Sequence, residues 1–326
     1  MSIRKNYIYA LGVFILGFFS FLFIQNKKSP NIIVAITQIA PHPSLDQIRA
    51  GIIDRLNLAG ISNDQILFQN AQGSPATALQ IAQKFLSLNP KVIVPITTPS
   101  AQAVYTVAKN GHIPLIFSAV SDPKAAKLYD PSAPNPLVAG VSDLSPVHDQ
   151  VLLIKKIFPD LQTIGVLYNA GEANSLALVD LFEKEANSMG LTVIRSTVAN
   201  TNDVSTAVAN FAGKTNVIYI PNDNTVISAF ESVITVANRY KMAVFTADPE
   251  SVARGALGSV AYNQYDIGRK TGELIVEYLI DHKPISEIGV QKPKKIELVL
   301  NLKTAKALGI SLPSDLVRKA TFTIHD

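Results

Sequence analysis

There is no cysteine in the 326 residues of this chain. Disulfides, thiolate metal sites, cysteine nucleophiles and a lipid carried on an amino-terminal cysteine are therefore all excluded. Histidine is scarce as well: His42, His112, His148, His282 and His325 lie far apart and form no ligand spacing, so no metal is expected. The sequence contains no G-x-G-x-x-G, no G-x-x-x-x-G-K-[ST], no G-x-S-x-G and no H-E-x-x-H. Those absences leave a hydrolase without its nucleophile elbow and an oxidoreductase without its dinucleotide loop, so neither enzyme activity nor a cofactor is expected.

Charge is missing where a nucleic-acid partner would need it. The net charge is +4, but Arg4, Lys5, Lys27 and Lys28 lie in the first 30 residues, which hold no acid. The rest of the chain then carries as many basic as acidic side chains (29 less 4, against 25). A neutral body offers no clustered Lys and Arg for phosphates, and no nucleic acid is expected.

Apolar sequence is plentiful: 48% of residues are hydrophobic and 17% charged, enough for a large core. The length suggests two lobes rather than one. Tyr7 to Ile24 is an uncharged run rich in Phe, Leu and Ile, flanked by the basic residues named above. It is long enough to span a bilayer and has no small-x-small cleavage site after it. Residues 1–30 are read as an uncleaved signal anchor with the body exported; a cleaved signal or a buried core helix are the alternatives.

Beyond Pro30, short β-branched runs alternate with amphipathic stretches, the mark of βαβ units and parallel sheets. Strands are expected at Ile32–Thr37, Ile66–Gln69, Val92–Ile96, Leu115–Phe117, Val138–Val141, Thr163–Tyr168, Thr192–Ser196, Val217–Ile220, Ala243–Thr246, Gly258–Tyr262 and Lys295–Val299. Helical stripes recur at Leu45, Ile48, Ile52, Leu56 and Ala59, at Leu176, Val179, Phe182, Ala186 and Met189, and at Val226, Phe230, Val233 and Ala237. Gly60 and Gly190 follow two of them where a left-handed cap is expected. The proline-rich stretch Ser121–Pro136 reads as loop, and the first passage between lobes is placed near Gly140–Pro146.

Ligands of open α/β sheets bind beyond the carboxyl ends of the strands. Here those ends are polar: Gln38; Thr98 and Ser100; Ser118 and Ser121; Asn169, Glu172 and Asn174; Asn222 and Asp223; Asp248. Each alone suits a helix cap, but together they suit a small zwitterion held between two lobes. A ligand carboxylate fits the free N–H groups at Thr98–Ala101, and its ammonium fits Asp223, Asp248 or Glu172. His42, between two prolines, is read as an exposed loop histidine, although it is placed where it can face the cleft. Tyr262, Tyr168 and Phe117 are read as core aromatics, with stacking on a ligand as the alternative.

Several strings also resemble a known family. They are Thr37-Gln38 followed by His42-Pro43-Ser44-Leu45-Asp46, Thr98-Pro99-Ser100-Ala101, Val120-Ser121-Asp122-Pro123, Gly140-Val141-Ser142-Asp143, Gly171-Glu172-Ala173-Asn174-Ser175 and Pro221-Asn222-Asp223-Asn224. In order and spacing the chain resembles the substrate-binding proteins of bacterial ABC transporters, in the branch that takes tryptophan and related aromatic amino acids. The resemblance implies the type I periplasmic-binding fold, two parallel-sheet α/β lobes joined by a hinge of three crossovers. It implies residues 31–140 with 263–283 in one lobe and 141–262 with 284–326 in the other. It further implies an amino-acid ligand, and a permease with its ATPase subunit as partners. A membrane-tethered extracytoplasmic sensor built on the same cleft is the rival function.

Overall fold

The computed structural model describes residues 32–108, 111–133 and 135–325. The expected anchor at residues 7–24 lies outside them, and no helix among the described residues is long and apolar enough to cross a membrane.

From Val34 the chain alternates strand and helix: β1 (Val34–Gln38), α1 (Pro43–Leu58), β2 (Ile66–Asn70), α2 (Pro75–Leu88), β3 (Val92–Ile96), α3 (Thr98–Ala108), β4 (Leu115–Phe117) and β5 (Val138–Val141). The second series is α4 (Val147–Ile157), β6 (Thr163–Asn169), α5 (Ala173–Ser188), β7 (Thr192–Val198), α6 (Val204–Ala209), β8 (Val217–Ile220), α7 (Asn224–Ser228), α8 (Phe230–Arg239), β9 (Ala243–Thr246), α9 (Glu250–Ala253) and β10 (Gly258–Tyr262). Then follow α10 (Gln264–Leu279), α11 (Ile285–Ile288), β11 (Val290–Gln291), β12 (Ile296–Asn301), α12 (Leu302–Leu308), α13 (Ser314–Lys319) and β13 (Phe322–Ile324).

Two sheets result, in the orders β11-β5-β4-β3-β1-β2 and β13-β12-β10-β9-β8-β6-β7. The first is parallel throughout; in the second β12 and β13, parallel to each other, run opposite to the other strands, with β12 antiparallel to β10. β1 and β3 are buried at every position because helices cover both faces, which is why β3 is almost all Val and Ile and β1 turns polar only at its carboxyl end. The expected two-lobed α/β architecture is what the chain adopts.

The chain passes between sheets at residues 142–146, at Asn263 and at residues 292–295. The last passage comes later than the expected return at 284. Ile285 and Ile288 bury in the first core, and β11 pairs with β5, whose open edge it covers. Val141 likewise stays with the first sheet as the end of β5. Within the first lobe α10 packs backbone to backbone on α1: a Cβ at Gly268 would lie 2.0 Å from the Ile48 carbonyl oxygen, and one at Gly51 would lie 2.2 Å from that of Tyr265.

Three local expectations change. Leu176 is 40% exposed, because the buried face of α5 runs through Ser175, Leu178, Val179 and Phe182. The stripe from Val226 to Ala237 belongs to two helices, α7 and α8, which part at Ala229. Two strands, β11 and β13, had no pattern to announce them, being two and three residues long and lying at sheet edges. Gly60 and Gly190 do take the left-handed conformation, with φ of 86° and 79°.

Candidate functional site

The carboxyl ends of β1, β3 and β4 face those of β6, β8 and β9 across a closed cleft. It encloses about 410 Å³ of empty space, its mouth included. A direct bond joins its walls: the Ser44 hydroxyl, in the first turn of α1, donates to Asp248 after β9.

On the first-lobe side the backbone is strained and the polar atoms are unpaired. Thr97 follows β3 with φ of 77° and Ala119 lies just beyond β4 with φ of 53°, the left-handed region that residues other than glycine rarely enter, β-branched Thr least of all. Such residues cost of order 1–3 kcal/mol and persist where the surroundings enforce them. The Thr97 N–H donates to the Ser118 carbonyl at 2.9 Å, and this bond turns the chain into α3. Pro99 has no N–H, so Thr98 and Ser100 supply the first-turn donors at that helix terminus. The hydroxyls of Thr97, Thr98 and Ser100 are buried without a partner. His42, at the start of α1, is only 9% exposed, and neither ring nitrogen has a partner. Burial lowers the pKa of its imidazole, partly against the pull of Asp248, so the ring is neutral at neutral pH. It is not the exposed loop residue the sequence suggested: Pro41 and Pro43 flank a segment that folds inward over the cleft.

The second-lobe side holds the charge, and most of it is already bonded. Glu172 accepts from the Asn224 amide N–H and side chain, from the Thr225 N–H and hydroxyl, and from the Asn174 side chain. Asp223 caps α7 by accepting from the Val226 N–H at 2.8 Å and also takes the Asn169 N–H at 2.6 Å. Burial, helped by the neighbouring Glu172 charge, pushes the pKa of Asp223 up to about 7. Asp248 accepts from the Ser251 N–H and hydroxyl as well as from Ser44. Asp143, in the first passage between lobes, accepts from Ser121 of one lobe and Asn222 of the other, each at 3.0 Å. Burial pushes Asp143 up to about 6.

Of the residues expected at the site, Thr98, Ser121, Asn174, Asn222, Asp223 and Asp248 line the cleft. The others do not. Gln38 bonds the Ala40 carbonyl and Asp46 and accepts from Arg49, holding the loop into α1. Ser118 shares a 2.7 Å hydrogen bond with Thr271 of α10. Asn169 ties its own turn together through Gly171 and Thr225, and Glu172 spends its oxygens on α7. Ser100 is fully buried behind the lining, its hydroxyl still unpaired. Tyr168 and Phe117 belong to the cores, and Tyr262 packs against the first one. Missed were Ser44, Thr97, Asp143, Asn224 and Gln264, which line the cleft, together with the apolar Leu45, Ile48, Ala119 and Ile227. Ser44 and Asp143 stand within the strings that carry the family resemblance.

The family model for ABC transporter substrate binding proteins matches residues 33–324. The chain belongs to that family. This substrate-binding protein is 36% identical over 288 residues to the tyrosine-binding protein of Clostridioides difficile (strain R20291), covering 87% of this chain and 82% of the relative. It superposes with a TM-score of 0.86 and 34% identity on the ABC domain of Streptococcus pneumonia in complex with L-Trp, over 90% of this chain and 100% of that one. The ligand-free, open structure of a substrate-binding protein with adhesive properties from Clostridium difficile, also 34% identical and covered to the same extent, gives 0.67. In this substrate-binding protein the Ser44–Asp248 bond across the cleft holds the lobes in a closed arrangement.

Proposed function

We propose that the protein captures a free amino acid, of the aromatic class, in this cleft and presents the closed pair of lobes to a permease driven by a separate ATPase subunit. The observation that carries the reading is the opposition of unpaired donors and carboxylates. Thr97 and Thr98 leave two buried, unpaired hydroxyls on the cleft lining at a helix N-terminus, a ready place for a carboxylate. Across from them Asp223, with Asp248 beside it, is placed to accept an ammonium. A zwitterion fills both needs at once, and it can do so only when the lobes are closed, so ligation shifts the hinge equilibrium toward closure. The names of the two relatives, one tyrosine-binding and one holding L-Trp, support an aromatic side chain. No bond is made or broken by this protein in that role.

The test is a thermal-shift screen of residues 31–326 against the twenty amino acids, sugars and purines, followed by calorimetry on each hit. A ligand at ~100 times its Kd adds about 2.7 kcal/mol to stability. A shift confined to one amino-acid class is the expected result; a shift with sugars or purines alone would reject the reading. The apolar run at residues 7–24 supports a further proposal, that it holds the body on the outer face of the cytoplasmic membrane. Sedimentation of the full chain with membranes after alkaline washing is expected, and its release into the soluble fraction would count against an anchor.

A further inference from the structure

We propose that His42 selects among amino acids by hydrogen bonding, through its imidazole, a polar group on the ligand's side-chain ring. The proposal rests on the amino-acid reading above. An amino acid presents a carboxylate, an ammonium and a side chain. The unpaired hydroxyls of Thr97 and Thr98 match the first and Asp223 the second. Of the cleft lining left for the third, Leu45, Ile48, Ala119 and Ile227 are aliphatic, the remaining polar side chains are hydrogen-bonded within the protein, Asn174 through its amide nitrogen alone, and the one ring is that of His42.

Both ring nitrogens of His42 are buried without a partner. The residue stands before α1 in extended backbone (φ −156°, ψ 157°) and makes no capping bond, so its ring is not occupied by the helix it precedes. Pro41 and Pro43 restrict the backbone on either side, which holds the ring in place. A neutral imidazole offers one donor and one acceptor. A phenol hydroxyl can satisfy either nitrogen, and an indole N–H can satisfy the acceptor. A phenyl or aliphatic side chain satisfies neither and leaves the buried nitrogens unpaired. A site built around such a bond rejects the analogue that lacks it far more strongly than an apolar pocket rejects a size change. Among the described residues no Phe or Tyr lines the cleft, so selection by stacking on a Phe or Tyr ring has none of them to act through.

The experiment is calorimetric titration of the wild-type protein and the His42→Phe and His42→Asn variants with tyrosine, tryptophan and phenylalanine. Wild type is expected to bind tyrosine or tryptophan at least tenfold more tightly than phenylalanine. His42→Phe keeps a ring and removes both nitrogens, and should bring that ratio close to one while phenylalanine affinity is kept; His42→Asn should retain part of the preference. A parallel loss for all three ligands would place His42 on the ligand's main chain or in the packing, and an unchanged ratio would leave it without a role; either overturns the proposal. Should the variants fail to fold, the wild type labelled with ¹⁵N-histidine carries the test. The ring-nitrogen resonances of the buried histidine should move with tyrosine and not with phenylalanine, and equal movement with both overturns the proposal. If no amino acid binds the wild type at all, the amino-acid reading itself has failed, a result distinct from binding without selectivity.

Discussion

The two walls of the cleft solve opposite problems. The first lobe presents neutral groups with nothing to bond, on a backbone bent into the left-handed region at Thr97 and Ala119. The second presents carboxylates whose neighbours already hold them, Asp223 by two backbone amides and Asp248 by Ser251 and Ser44, while Glu172, off the lining, takes five donors from its own lobe. An unmade hydrogen bond on a buried group costs roughly 1–3 kcal/mol, whereas a bonded carboxylate is already compensated. The first lobe therefore carries the deficit that a ligand relieves, and the second carries charges fixed in position before it arrives. In the closed arrangement Ser44 and Asp248 join the lobes while the hydroxyls of the first wall have no protein partner.

The contrast breaks most visibly at Glu172. Glu172→Ala strips α7 and the turn before it of their shared acceptor, and should lower unfolding free energy by about 3 kcal/mol or more in urea titration, because several buried donors lose a charged partner together. Next in size is Asp223→Ala, expected to weaken amino-acid binding by more than tenfold in calorimetry while the chain still folds; an unchanged affinity would remove Asp223 from the ammonium site. Thr98→Val tests the other wall and should separate the two quantities. Affinity should fall by roughly five- to tenfold as one hydrogen bond to a charged group is lost, yet the unliganded protein should melt no lower, since an unpaired hydroxyl has gone. Ser44→Ala removes a bond made only across the closed cleft. A shift of about 1 kcal/mol toward the open form should appear as a larger radius of gyration in X-ray scattering and an affinity loss of no more than about fivefold.

The smallest effect is protonic. Asp143 and Asp223, raised to about 6 and about 7, hold protons in the folded protein that the unfolded chain has lost above its ordinary carboxylate range. Their contribution to stability is full below about 4 and disappears as pH rises through 6 to 7. His42, held neutral by burial, acts in the opposite sense below about 6.5. An ammonium placed on Asp223 favours its ionised form, so binding near pH 6.5 should release a fraction of a proton. Calorimetry in buffers of different ionisation enthalpy should detect the release, and it should vanish above pH 8.

Much of the frame was readable from the chain. Runs such as Val92–Ile96 and Val217–Ile220 are buried on both faces and could hardly be anything but central strands, and each was placed at the bounds the structure gives. β11 and β13 escaped because an edge strand of two or three residues has neither length nor alternation to signal it. The site was legible as a place more than as a set of side chains. Polar residues do follow the strands, but Asn169 and Glu172 turn to bond their own lobe while Asn174 and Asp223, a few residues from one or the other in sequence or space, reach the cleft. His42 was misjudged because its flanking prolines suggest a surface turn, and nothing local reveals that the turn is roofed by the opposite lobe.

The sequence by itself determined the alternation of strand and helix, the two sheets and the end of each at which a ligand must sit, because burial on one or both faces of an element writes its period into the chain. Tertiary structure alone decided which polar atoms are left free. Ser118 is satisfied by Thr271, 153 residues away, and Asp248 by Ser44, 204 residues away, whereas Thr98 meets no protein partner. A hydrogen bond needs its partner within about 3 Å, and periodicity reports that a residue is covered without reporting what covers it.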